Sequence, residues 1–204
     1  MARATFRVEG HNLRLNHLGL IGGILAFISL ALPWWSLTLS GSPMGLIVSV
    51  EGNLYLYQTR VTTIGVSLSA STNHPWYCLI ALAFVVLGGL LGLVGSVIAN
   101  WRRIMLSLGG IVALFSIIIF AVGLQNQISN GSGFPTGVGL FSSGSYGHLG
   151  MHYLSYLSFG FWLALVAAIM MFAALTREPM PEPAETIIPP EPSPLRQRRI
   201  ARVS

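Results

Sequence analysis

The chain has 204 residues, 53% of them hydrophobic and only 8% charged, with a formal charge of +5 and a mean hydropathy of +0.69. Soluble domains carry about a quarter charged residues, so a surface facing water everywhere is excluded and lipid is the expected solvent. Lysine and aspartate are absent, and the arginines flank apolar runs instead of forming one basic patch. That pattern reads as membrane topology and not as nucleic-acid binding.

In chain order, residues 1–17 carry Arg3, Arg7 and Arg14 ahead of a first apolar run, Leu18 to Trp35. Pro33-Trp34-Trp35 at its end is too bulky for a small-x-small cleavage site, so the run is expected to stay as an anchor. Three more runs follow: Tyr77 to Ala99, Ile104 to Leu124 and Tyr153 to Leu175. None of the four contains Asp, Glu, Lys or Arg. Each approaches the roughly 20 residues that span a hydrocarbon core, and backbone in lipid must bond within itself, so all four read as transmembrane helices.

Arginine placement orients them. Arg102 and Arg103 occupy the short connection 100–103, Arg177 follows the fourth run, and Arg196, Arg198, Arg199 and Arg202 close the tail; only Arg60 falls on the other side. The positive-inside rule then makes both termini cytoplasmic and predicts a multi-pass protein of the plasma membrane. Trp34, Trp35, Trp76 and Tyr77 are expected at the outer lipid boundary and Trp101 at the inner one. Arg102, Arg103 and the tail arginines 196, 198, 199 and 202 are expected to face lipid headgroups.

The first outer segment, 36–76, alternates apolar and polar residues at Leu37/Leu39, Leu46/Val48/Val50, Leu54/Leu56 and Val61 to Leu68. This period of two predicts three or four antiparallel strands, with a turn at Glu51-Gly52-Asn53 and a bulge at Gly65. The second, 125–152, is rich in Gly and Ser and predicts turns, with Gly139-Leu140-Phe141 as a short edge strand. Asn130-Gly131-Ser132 fits a glycosylation acceptor. The tail 176–204 alternates proline and glutamate before its arginines, a composition that buries no core and predicts disorder. The fold class expected is a membrane all-α four-helix bundle carrying a small extracytoplasmic antiparallel sheet.

Small residues recur every four positions: Gly19 and Gly23, then Gly88, Gly92 and Ser96, then Gly109 and Ala113. That spacing lets helix backbones approach closely, within one bundle or against another membrane protein. His74, His148 and His152 lie at outer helix ends, where three imidazoles offer a metal site. The single cysteine, Cys78, excludes an intrachain disulfide and dithiol redox chemistry. No span holds the acid or base that proton relays use, nor an axial histidine pair for haem, so no cofactor is expected. The expected partners are the bilayer and either a second copy or another membrane protein.

Four spans with both ends inside, a long β-rich first outer loop and the Pro33-Trp34-Trp35 exit together resemble the claudin and peripheral-myelin-protein tetraspan group. Where that group has Gly-Leu-Trp and a cysteine pair, this chain has Met44-Gly45-Leu46-Ile47. The resemblance implies adhesion, membrane organisation or assembly, without catalysis. The alternative is a small transporter, channel or metal-binding membrane enzyme that uses the outer histidines.

Overall fold

A computed structural model describes residues 5–8, 11–42, 47–63, 66–69, 75–98, 100–130, 138–146 and 150–176. Four helices form its lower layer: α1 (His17–Leu30), α2 (Trp76–Val97), α3 (Arg102–Ser129) and α4 (Phe159–Thr176). The last three are long and apolar enough to cross a membrane, whereas α1 has 14 residues. They pack in a ring, α2 against α1 and α3, and α4 against α1 and α3.

Around a few large interior side chains (Leu106, Phe120, Leu124 and Met171), the helix contacts are lined by small residues and the outer faces carry large ones. Gly22, Gly23 and Ala26 of α1, Ala81, Gly88 and Gly92 of α2, Gly109 and Ala113 of α3, and Ala164, Ala167 and Ala168 of α4 are buried. Ile24, Leu87, Leu90, Ile104, Ile118 and Ile169 are between 45% and 55% exposed. Water would favour the opposite arrangement, because burying large apolar side chains drives folding there.

A strand hairpin, β1 (Thr5–Val8) with β2 (His11–Arg14), precedes α1. The main sheet has six antiparallel strands: β3 (Trp35–Gly41), β4 (Val48–Leu54), β5 (Thr59–Thr63), β6 (Val66–Ser69), β7 (Ser142–Tyr146) and β8 (Met151–Leu157). Their order is β6-β5-β4-β3-β8-β7. Two adjacent strands, β3 and β8, are continuous with neighbouring helices, since β3 follows α1 and β8 leads into α4.

Several expectations need correction. The first apolar run is not helical to Trp35: α1 stops at Leu30, and Ala31 N–H turns back to the Ile28 carbonyl. Pro33 lacks the N–H that a helix interior needs and pushes Leu32 out of helical geometry. The fourth run is not helical from Tyr153. Residues Met151–Leu157 pair with β3 along their whole length, from Trp35↔Leu157 to Gly41↔Met151, and the first helical bond of α4 runs from Trp162 to the Ser158 carbonyl. The second outer segment therefore supplies two strands of the sheet, and the short edge strand lies at Ser142–Tyr146, not at 139–141.

Glu51-Gly52-Asn53 is not a turn but the middle of β4, where Gly52 lies between Leu37 and Val61. A turn there would pull Leu54 and Leu56, 6% and 0% exposed, out of the core. The chain reverses instead at Tyr55–Gln58, closed by a 2.8 Å bond from Tyr55 N–H to the Gln58 carbonyl. Gly65 lies outside the described residues; on either side of it the 61–68 run divides into the paired strands β5 and β6. Helix α3 runs past Leu124 to Ser129 because Leu124 and Ile128 are buried in the same apolar cluster as Leu37 and Leu157.

Candidate functional site

Two features position everything else: the seams between helices and the junction where helices become sheet. At the α2–α3 seam, a Cβ added to Gly88 would stand 3.0 Å from the Gly109 carbonyl oxygen and 3.3 Å from the Ala113 Cβ. One added to Gly109 would meet the Gly88 oxygen at 3.0 Å and the Gly92 nitrogen at 3.2 Å. At the α1–α2 seam, Gly23 faces the Gly89 oxygen, and Gly92 lies against the Gly23 Cα and the Met171 thioether of α4. Gly19 sits against Leu106 and Ser96. Thus Gly19, Gly23, Gly88, Gly92, Ser96, Gly109 and Ala113 all lie on contacts within this chain. Spacing by four did not single out Gly22, Gly89 or Gly95, which are packed as closely.

At the arginine-bearing end, Asn16 ties three helices together. Its side-chain oxygen accepts from Gly19 N–H and caps α1. Its amide donates to the Ala174 carbonyl of α4 at 3.2 Å, and its backbone N–H donates to the Ser96 carbonyl of α2 at 3.1 Å. Nothing in its spacing marked it out, although an Asn ahead of an apolar helix is a capping signal.

The junction centres on Trp34, which is fully buried. Its indole stands edge-on to Phe120 at 5.1 Å and Phe161 at 6.1 Å, and Nε1 donates to the Ser29 carbonyl at 3.0 Å. Its backbone N–H donates to Leu54, and its carbonyl accepts from Ser158. Gly160 N–H donates to the Pro33 carbonyl, and any side chain at 160 would strike the indole. Trp34 and Trp35 are therefore core residues, 0% and 3% exposed, and not boundary aromatics. Both are enclosed where helices become sheet: the Trp34 backbone bonds to Leu54 and Ser158, and Trp35 pairs with Leu54 and Leu157. Trp76 and Trp101 are 64% and 58% exposed.

Arg102 also departs from expectation: it is buried, while Arg103 is exposed. It sits at the first position of α3. Arg196, Arg198, Arg199 and Arg202 lie outside the described residues, as do His74 and His148. His152 is exposed on strand β8, opposite Ser40 and Ser145, and not on a helix. Among the described residues no three His, Cys, Asp or Glu side chains gather as metal ligands. Asn130 is exposed at the C-cap of α3, and its amide donates to the Asn126 side chain.

One sheet face is polar. Ser36 donates to Asn53 at 2.6 Å, Asn53 donates to Glu51 at 2.9 Å, and the Arg60 guanidinium lies 5.4 Å from the Tyr55 ring centre. Glu51 is the only carboxylate among the described residues, so they hold no acid pair for general acid–base work. In comparisons with known proteins, no family model matches the chain and no curated protein matches it.

Proposed function

We propose that this is a multi-pass protein of the plasma membrane, crossing it four times, with both ends cytoplasmic and the sheet outside. It acts without catalysis, as a structural, adhesive or assembly component that joins a second copy or another membrane protein. The observation that carries the reading is the inverted helix layer, with glycine and alanine inside and isoleucine and leucine outside. Lipid solvates such a surface, and close backbone packing holds helices together where no hydrophobic effect acts between them.

Helix α1 rises only about 21 Å, short of a hydrocarbon core of about 30 Å. The crossing is completed by residues 31–34, whose backbone groups bond to Ser29, Leu54, Ser158 and Gly160. Irregular backbone is tolerated at membrane depth when protein satisfies it in this way. The likeness to the claudin and peripheral-myelin-protein architecture supports a role in adhesion or assembly.

Native mass spectrometry in mild detergent tests that role, with a homo-oligomer or a co-purified membrane protein as the expected result. A strict monomer without companions, or ion flux in liposomes, would contradict it. Metal in the wild type that a His148→Ala/His152→Ala variant loses would point instead to the metal-binding rival.

A further inference from the structure

We infer that the β7–β8 corner of the sheet is a lipid anchor, with Phe141 seated at the polar–apolar boundary of the outer leaflet. The inference rests on the membrane-spanning reading above. Phe141 belongs to the sheet side of the molecule, just ahead of β7, and is 61% exposed. Its ring nevertheless lies 6.5 Å from that of Trp162, in the first turn of α4. A residue outside the helices thus reaches down to the depth at which α4 begins.

Its direction is fixed. Ser142 Oγ accepts from the Gly139 N–H at 2.7 Å and lies 2.8 Å from Ser155 Oγ. Ser155 Oγ also stands 2.8 Å from the Gly139 carbonyl oxygen, to which it donates. These bonds clamp the 139–142 turn onto β8, so the phenylalanine is held outward and does not fold back over the cluster. The neighbouring indole is equally constrained, with Trp162 Nε1 donating to the Leu157 carbonyl at 3.2 Å.

The occupant follows from continuity. Phe159, Trp162, Val166 and Ile169 are 76%, 47%, 45% and 55% exposed and recur at three- and four-residue steps, so they form one stripe along α4. Phe141 extends that stripe from the helix onto the sheet. No charged side chain occurs from 138 to 146 or from 150 to 176. Uncharged aromatics at the end of an apolar helix are the side chains a lipid boundary accepts. An anchor there holds the sheet at a set angle to the bilayer.

The test places a nitroxide at Phe141→Cys, Phe159→Cys, Ile118→Cys or Glu51→Cys in a Cys78→Ser chain reconstituted into phosphatidylcholine vesicles. Collision with oxygen, which partitions into lipid, is compared with collision with a water-soluble nickel chelate. Ile118, on the lipid-facing side of α3, should favour oxygen, and Glu51 should favour nickel. Phe141 and Phe159 should favour oxygen, at shallower depth than Ile118. Phe159, at the start of α4 whose depth Phe141 reaches, carries the test if the Phe141 variant does not fold. A nickel-favouring corner beside an oxygen-favouring Ile118 would overturn the anchor and leave the spans standing. A nickel-favouring Ile118 would instead remove the spanning reading. A corner label immobile and closed to both reagents would mean a protein contact, and would also overturn the inference.

Discussion

Gly109→Leu should separate α2 from α3. Even the first carbon of the new side chain would lie 3.0 Å from the Gly88 oxygen, 3.2 Å from the Gly92 nitrogen and 3.3 Å from the Leu91 Cβ. Two of those atoms are backbone, so relief comes only from moving a helix. Overpacking of this kind costs about 1–3 kcal/mol, with the upper end expected against backbone. Leucine returns about 1 kcal/mol of helix propensity. The net loss is about 2 kcal/mol, or roughly thirtyfold in the unfolding equilibrium. Denaturant titration in detergent, followed by tryptophan fluorescence, measures it. Leu108→Ala, one position away and 46% exposed, should change stability by less than about 0.5 kcal/mol. An unchanged midpoint for Gly109→Leu, or a larger shift for Leu108→Ala, would refute close backbone packing as what holds the ring together.

Trp34→Ala removes the ring between Phe120 and Phe161 and leaves a cavity at the junction; a loss of about 3–5 kcal/mol is expected, measured by the same titration. Asn16→Ala should cost about 1–2 kcal/mol, because a helix cap and a bond to α4 are lost together. Thermal unfolding in detergent checks it, with Asn16→Asp expected to keep the cap but not the Ala174 bond. Cys78 is 1% exposed, so maleimide should label it only after denaturation; rapid labelling of the folded protein would contradict its burial.

The four apolar runs and the small-residue spacing were legible because charge exclusion and a four-residue repeat are local signals. The ends of α1 and α4 were not. Trp34-Trp35 and Tyr153 to Leu157 are apolar and uncharged, and a short apolar stretch reads equally as helix or buried strand until its pairing is known. That pairing is long-range: Trp35 meets both Leu54 and Leu157. The β7 strand, Ser-Ser-Gly-Ser-Tyr, has the composition of a loop and gains its structure from β8. Glu51-Gly52-Asn53 has strong turn chemistry, overridden by the burial of Leu54 and Leu56. The burial of Arg102 at the start of α3 is a tertiary outcome that its residue type does not announce.

The proposed function requires four uncharged stretches in lipid, with the arginines at one face. Membrane-impermeant thiol labelling of intact cells, with single cysteines introduced into the Cys78→Ser chain at Asn53, Trp101 and near each terminus, addresses that directly. Labelling of Asn53→Cys alone is predicted, with the other three sites protected until the cells are opened. Labelling of just one terminus in intact cells would make the number of crossings odd and contradict the account.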